Sequence, residues 1–326
     1  MVRTTRRRLF ANTTAKRIAA GTAKPRGAPA IRADLSALLR DAIAVVFRRL
    51  RHVRGRSRVG AGIQRFLTPR GTRSNLVRCR LGDGSRMILD LRSTIEARAY
   101  WTGTYERDVF LLRRALRASF VVLDIGAHIG FYAVPLARRL RELGGGLVFA
   151  FEPVPANAVR LRENVAANGL EGVVITVELA LGAAKRSVVL KPEPSSEADT
   201  RNAFVTDDRV LRPDRVRARM TTLDVVAPQI GIERCDVVKI DVEGSELDVL
   251  KGGRDLLSTY RPIVMLELNP HRMAQFGWTA DDLAAVASDL GYTAWRRVGR
   301  HSTPLVTEPL DLENVFLVPR GSRPPR

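Results

Sequence analysis

The sequence predicts an α/β fold built on a mostly parallel sheet covered by helices on both faces, with a basic extension at its N-terminus. Three observations predict it. From residue 119 onward, short apolar runs alternate with stretches of helical periodicity, the pattern of a parallel sheet. Glycines and acids cluster where those apolar runs end, which is where such sheets bind ligands. The charge is also uneven. Residues 1–78 hold 20 of the 54 Lys/Arg and two of the 34 acids, a net of +18, and the rest of the 326-residue chain is close to neutral at +2. The chain therefore divides into a basic arm, 1–78, and a domain, 79–326.

Residues 1–33 contain no acid and too little apolar surface to offset the entropy of ordering, so a disordered start is expected. No apolar h-region marks a secretory signal, and no run approaches the ~18 residues that span a bilayer. The expected location is cytoplasmic, with peripheral attachment to a membrane as the alternative. A helix is predicted over about 35–53. Leu35, Leu38, Leu39, Ala42, Ile43, Val46, Leu50 and Val53 form its apolar face, and arginines crowd its end. Such a helix suits an anionic membrane or nucleic acid, and equally suits docking on its own domain.

A hairpin is expected at 77–81 and 87–91 around Gly82-Asp83-Gly84. Strands follow at 121–125, 147–151, 173–177, 237–240 and 263–268. Helices are predicted at 131–141, 155–168, 245–257 and 279–290, and a closing strand pair at 292–297 and 314–318. Pro135 sits awkwardly near the start of the first of these helices. Tyr100, Trp101 and Tyr105 serve either as core or as a pocket cap. With only Cys79 and Cys235 and four scattered histidines, disulfide frameworks and cysteine-based zinc sites are excluded.

The first strand ends Asp124-Ile-Gly126-Ala-His128-Ile-Gly130. A dinucleotide loop wants glycine at position 128, and Asp124 would repel a pyrophosphate. An ammonium-bearing, phosphate-free nucleoside fits better, and S-adenosylmethionine is one. The second strand ends at Glu152-Pro153, 22 residues after Gly130, the spacing of an acid that binds ribose hydroxyls. The fourth runs Lys239-Ile-Asp241-Val-Glu243-Gly244-Ser-Glu246. Asp241 reads as functional, Glu246 equally as structural, and Lys239 as a pairing partner. The fifth ends Glu267-Leu-Asn269-Pro-His271, three groups able to face a substrate.

These stretches resemble the FkbM family of S-adenosylmethionine-dependent methyltransferases, together with Asn164-Val-Ala-Ala-Asn168-Gly, Ala180-Leu-Gly182, Thr222-Leu-Asp224 and Leu250-Lys-Gly252. The likeness covers about residues 95–270. It implies a Rossmann-like class I methyltransferase fold, with a seven-stranded sheet whose last strand is reversed. It implies that Asp124, Gly126, Gly130 and Glu152 bind the cofactor, with His128, Pro153 and Ala180 in the same set. His128 departs from the family pattern, which usually has Asn there. Family members methylate hydroxyls of sugars or secondary metabolites, so a small-molecule or glycan hydroxyl is the expected acceptor. Asp241 is the first choice of base, then Glu243 and Glu267, then His271. No metal is expected; a divalent ion on Asp241, Glu267 and Asn269 is a variant ranked below the metal-free reading. The alternatives are an RNA methyltransferase that grips phosphates with the basic arm, or a non-catalytic scaffold at a membrane surface.

Overall fold

The computed structural model describes residues 35–49, 76–106, 108–191, 204–206, 215–298, 301–304 and 313–324. The expected disordered start and most of the basic run lie outside the described residues, as do 192–203 and 207–214. The chain divides into units 1–41 and 42–326, and the first is described only by the opening turns of one helix. That helix, α1 (Leu35–Arg49), falls within the predicted 35–53, and residues 50–53 lie outside the described residues. In the second unit Ala44 is buried, while Arg48 donates to the carbonyls of Tyr100 (2.8 Å) and Arg80 (3.1 Å) and lies over the Tyr100 ring. Part of this basic end is thus docked on its own domain.

β1 (Leu76–Arg80) and β2 (Arg86–Asp90) form the expected antiparallel hairpin. α2 (Thr94–Thr102) and α3 (Asp108–Ala115) lead into the main sheet. Its strands are β3 (Phe120–Ile125), β4 (Gly146–Phe151), β5 (Val174–Val177), β10 (Val237–Ile240), β11 (Ile263–Leu268), β12 (Tyr292–Val298), β13 (His301–Pro304) and β14 (Glu313–Pro319). The order is β13-β12-β14-β11-β10-β3-β4-β5, with β14 antiparallel to β11. The sheet therefore has eight described strands rather than the expected seven, because residues 301–304 fold back on β12. β3, β4 and β10 are apolar runs buried on both faces, which is why their sequences do not alternate.

Helices α4 (Ala133–Glu142) and α5 (Pro155–Ala167) cross between β3, β4 and β5. Pro135 is tolerated because it occupies the first turn of α4, where an N–H has no partner within the helix. The single helix predicted over 245–257 is two, α7 (Glu246–Lys251) and α8 (Arg254–Tyr260), split at Gly252-Gly253. The break follows from packing. A side chain at Gly252 would lie 2.1 Å from the Gly182 carbonyl, so the chain passes there as bare backbone. α6 (Leu223–Gln229) is capped by Thr222, and Asp224 accepts from the amides of Asp255 (3.1 Å) and Leu256 (2.9 Å) at the start of α8. α9 (Pro270–Gln275) and α10 (Ala280–Asp289) follow β11. A second, small sheet in the order β6-β9-β7-β8 is inserted between β5 and α6. Its strands are β6 (Ala180–Leu181), β7 (Arg186–Lys191), β8 (Phe204–Thr206) and β9 (Val216–Thr221).

The hairpin and α2 dock on α5 through polar groups. Asn164 accepts from the Ile88 amide (2.7 Å) and donates to the Ile129 carbonyl (2.9 Å). Asn168 exchanges two bonds with the main chain of Arg86 (2.9 and 2.7 Å). Glu96 of α2 is buried and binds Arg160 of α5 through both oxygens (2.8 and 2.5 Å), and it also accepts from the Asp90 amide. Tyr100 and Trp101 are core residues; Tyr105 is not.

Candidate active site

A cavity of about 270 Å³ opens at the carboxyl ends of β3, β4, β10 and β11, between α2 and the small sheet. Its floor is set by the turn after β3. Gly126 has φ +79°, and a Cβ there would lie 1.8 Å from the Asp241 carbonyl oxygen, so only glycine lets the turn pass over β10. His128 also takes a left-handed φ, +50°, and donates its amide to Glu152 Oε2 at 2.8 Å. Glu152 Oε1 accepts from the Val154 amide (3.0 Å) and Asn157 Nδ2 (3.3 Å). Burial lifts the Glu152 carboxyl to about 7, and these hydrogen bonds oppose the rise.

Across the cavity the loop after β10 presents Asp241 and Glu243. Glu243 is the second non-glycine residue here with left-handed backbone, φ +58°, and its carboxylate lies 3.9 Å from Arg272 Nε. Glu246 folds this loop, because its Oε1 accepts from the amides of Val242 (3.1 Å) and Gly244 (3.0 Å). Burial raises Glu246 to about 7. Trp278 Nε1 closes the loop from the α9 side by donating to the Gly244 carbonyl at 2.6 Å.

Lys239 stands beneath the site. Its Nζ lies 2.8 Å from the Gly126 carbonyl, 3.3 Å from Asp124 Oδ1 and 3.2 Å from Asp241 Oδ2, with the Tyr132 ring 5.2 Å away. Burial opposes its charge, but Asp241, Asp124 and Glu267 outweigh that and hold the ammonium protonated. Glu267 faces the cavity beside Asp241, whose charge, with burial, drives the Glu267 carboxyl far above its ordinary range. On the remaining side Glu106 accepts from Tyr132 Oη at 2.5 Å, and Tyr105 stacks on Phe131 with centroids 4.2 Å apart.

Of the residues expected to hold a cofactor, Gly126, His128, Glu152, Pro153 and Ala180 line the cavity. Asp124 does not. It is fully buried behind the floor, because the register Lys239↔Asp124 sets it against the lysine instead of the cleft. Gly130 does not line it either. A side chain there would lie 2.7 Å from Leu161 Cδ1, so this glycine serves the packing of α5. Of the expected catalytic set, Asp241, Glu243 and Glu267 share the cavity. His271 is exposed in the first turn of α9, where its amide binds the Asn269 side chain (3.1 Å), and it is turned out of the site. Asn269 lines the cavity while its Oδ1 caps α9. Among the described residues no group of three His, Cys, Asp or Glu is arranged to hold a metal ion. Lys239 supplies a positive charge beside Asp241.

Sequence reasoning missed Arg98, Glu106 and the insert residues Leu190, Val205 and Met220, all of which line the cavity. Their elements lie outside the main sheet, so no strand-end signal marks them.

The family model for the FkbM methyltransferase domain matches residues 124–294. The chain belongs to the FkbM methyltransferase family. The match takes in the turn after β3, Glu152, the Lys239–Glu246 loop and Glu267. Three curated relatives are similar to the chain. The chain is 29% identical over 204 residues to the AMB antimetabolite synthetase AmbE of Pseudomonas aeruginosa, covering 53% of this chain and 9% of AmbE. It is 28% identical over 161 residues to the hexuronic acid methyltransferase AglP of Haloferax volcanii, covering 49% of this chain and 61% of AglP. It is 28% identical over 153 residues to the 2-O-methyltransferase NoeI of Sinorhizobium fredii, covering 43% of this chain and 60% of NoeI. The chain thus spans less than two thirds of the length of each. Among the described residues no helix is long and apolar enough to cross a membrane.

Proposed function

We propose that the chain transfers a methyl group from S-adenosylmethionine to a hydroxyl of a sugar or a secondary metabolite. The observation that carries this is the charge of the cavity: six carboxyl side chains and one guanidinium line it. A pyrophosphate would be repelled there, whereas a cationic, phosphate-free nucleoside is favoured. Glu152 suits the ribose hydroxyls of such a donor, and the Gly126–His128 turn suits its close approach. A hydroxyl acceptor is supported by the likeness to AglP, a hexuronic acid methyltransferase, and to NoeI, a 2-O-methyltransferase.

The donor supplies an already activated methyl, so the chain's task is to align the acceptor and remove its proton. Asp241 is the base, held by Lys239 at 3.2 Å and open to the cavity. The wall formed by Tyr105 and the small sheet bounds the acceptor side. Calorimetry with S-adenosylmethionine and NAD tests the donor, and heat from NAD alone would reject it. Labelled-methyl screening of extracts, with mass spectrometry of the product, tests the acceptor class. In that assay Asp241→Asn keeps donor affinity and loses transfer by about 100-fold or more. Full activity in the variant would remove Asp241 from the chemistry.

A further inference from the structure

In the second unit, α1 docks by a small and basic face. Ala44 is buried, and Arg48 donates to the carbonyls of Tyr100 and Arg80. The Arg48 stem fills the space over Gly103, where a Cβ would lie 3.2 Å from its Cγ. The face turned to solvent is apolar. Val45 is 46% exposed and Val46 55% exposed, and Ala42, one turn before Val46, is exposed too. Val46 is two residues from both Ala44 and Arg48, a rotation of about 200°, so the docked side chains fix it outward. Ile43, half-buried, packs against the core. In the first unit Leu39 of the same helix is exposed as well. A surface helix ordinarily turns its apolar stripe inward. Valine is a poor helix former, and facing water it gains no packing, so these valines call for a cover outside the domain.

We infer that the outward face of α1 lies on an anionic lipid surface and holds the domain there. It stands apart from the methyl-transfer reading. Charge selects this cover. Residues 1–33 hold nine Lys/Arg and residues 49–75 hold eight, and neither segment contains an acid. The only acid within α1, Asp41, is met by Arg40 at 3.2 Å. An apolar helix face between two cationic segments matches the interface of an anionic bilayer, where apolar side chains enter the acyl boundary and cations pair with headgroups. A second copy of the chain would bring two such cationic segments together, which repel. A nucleic acid would take the cations and leave the valines uncovered. At 15 residues α1 is about 22 Å long, too short to cross a bilayer, so it lies in the surface plane.

The test is flotation of the full chain with vesicles of phosphatidylcholine alone and with vesicles in which about a third of the lipid is phosphatidylglycerol. The expected result is at least roughly tenfold stronger binding to the anionic vesicles, part of which survives about 0.5 M salt, because salt screens the charges and spares the apolar contact. Val45→Ser/Val46→Ser should weaken that binding about tenfold, and Val45→Leu/Val46→Leu should strengthen it several-fold. Both positions are exposed, so thermal melts of the two variants should match the parent. If serine lowers the melt, the leucine variant decides. Equal binding by the parent and the leucine variant, equal binding to neutral and anionic vesicles, or no binding to either overturns the inference. Vesicle binding lost entirely in 0.5 M salt, with RNA bound equally by parent and serine variant, overturns it in favour of nucleic acid. A lipid-free dimer that the serine variant abolishes overturns it in favour of a second copy.

Discussion

Replacing Lys239 with Met tests the buried ion cluster most directly. The methionine matches the lysine stem in length and removes only the ammonium. Asp124, fully buried, then loses its partner at 3.3 Å, Asp241 loses its partner at 3.2 Å, and the Gly126 carbonyl loses a hydrogen bond. At an effective dielectric of about 20, each ion pair at this distance amounts to roughly 5 kcal/mol. The burial of the ammonium, which Met avoids, offsets part of that. Removal of one partner from a buried pair typically costs about 3–5 kcal/mol, which is the expectation at pH 8. The cost must depend on pH. Burial already raises Asp124 above its unfolded value of 3.8 while Lys239 pulls it down, so losing the lysine raises it further. A group raised on folding contributes its stability below the unfolded pKa and loses it as pH climbs through the folded one. The penalty of Lys239→Met therefore grows from pH 5.5 to pH 8. Urea denaturation at both values measures it. The double variant Lys239→Met/Asp124→Asn removes the fully buried orphaned charge and should recover part of the penalty, leaving the lost Gly126 carbonyl bond and the lost Asp241 pair. A penalty below about 1 kcal/mol at pH 8, or one equal at the two values, refutes the account.

Glu246→Gln should stabilise the chain at pH 8 by up to about 3 kcal/mol and change little at pH 5. Burial raises Glu246 from 4.5 to about 7, so its stability is complete below 4.5 and lost as pH rises through 7, while the amide keeps an acceptor for Val242 and Gly244. Thermal melts across that range check the sign. Gly126→Ala should abolish donor binding in calorimetry, because its Cβ would sit 1.8 Å from the Asp241 carbonyl oxygen and the left-handed φ adds strain. Glu96→Ala strands the Arg160 guanidinium and the Asp90 amide, and denaturation should register a loss of about 3–5 kcal/mol.

The parallel core was legible because its strands are continuous apolar runs bounded by glycine and acids, and Glu152, Asp241 and Glu267 follow from being strand-end acids. Asp124 looked alike in sequence. What separates it is pairing between strands: Lys239 lies opposite it across β3 and β10, a register that no local pattern states. The lysine was itself the available clue, since a buried cation demands a buried acid. The division of α7 from α8 was hidden because helical periodicity runs straight through Gly252-Gly253. Only the approach of Gly182, seventy residues earlier, forces the break. Glu106 carries no strand-end signature, and its place depends on Tyr132 and on how the chain before β3 folds over the sheet.

Asn164 and Asn168 grip β2 through its peptide groups, not its side chains. Such a clasp is blind to which amino acids β2 carries, provided the strand stays extended and keeps the amides of Arg86 and Ile88. Substitutions at the outward-facing positions of that hairpin, such as Arg78 and Arg86, should thus drift freely without unseating α2, whose Ile95 and Arg98 wall the cavity, while Met87 and Leu89 stay fixed in the core. One rim of the pocket can in this way be re-lettered over time while its position stays fixed.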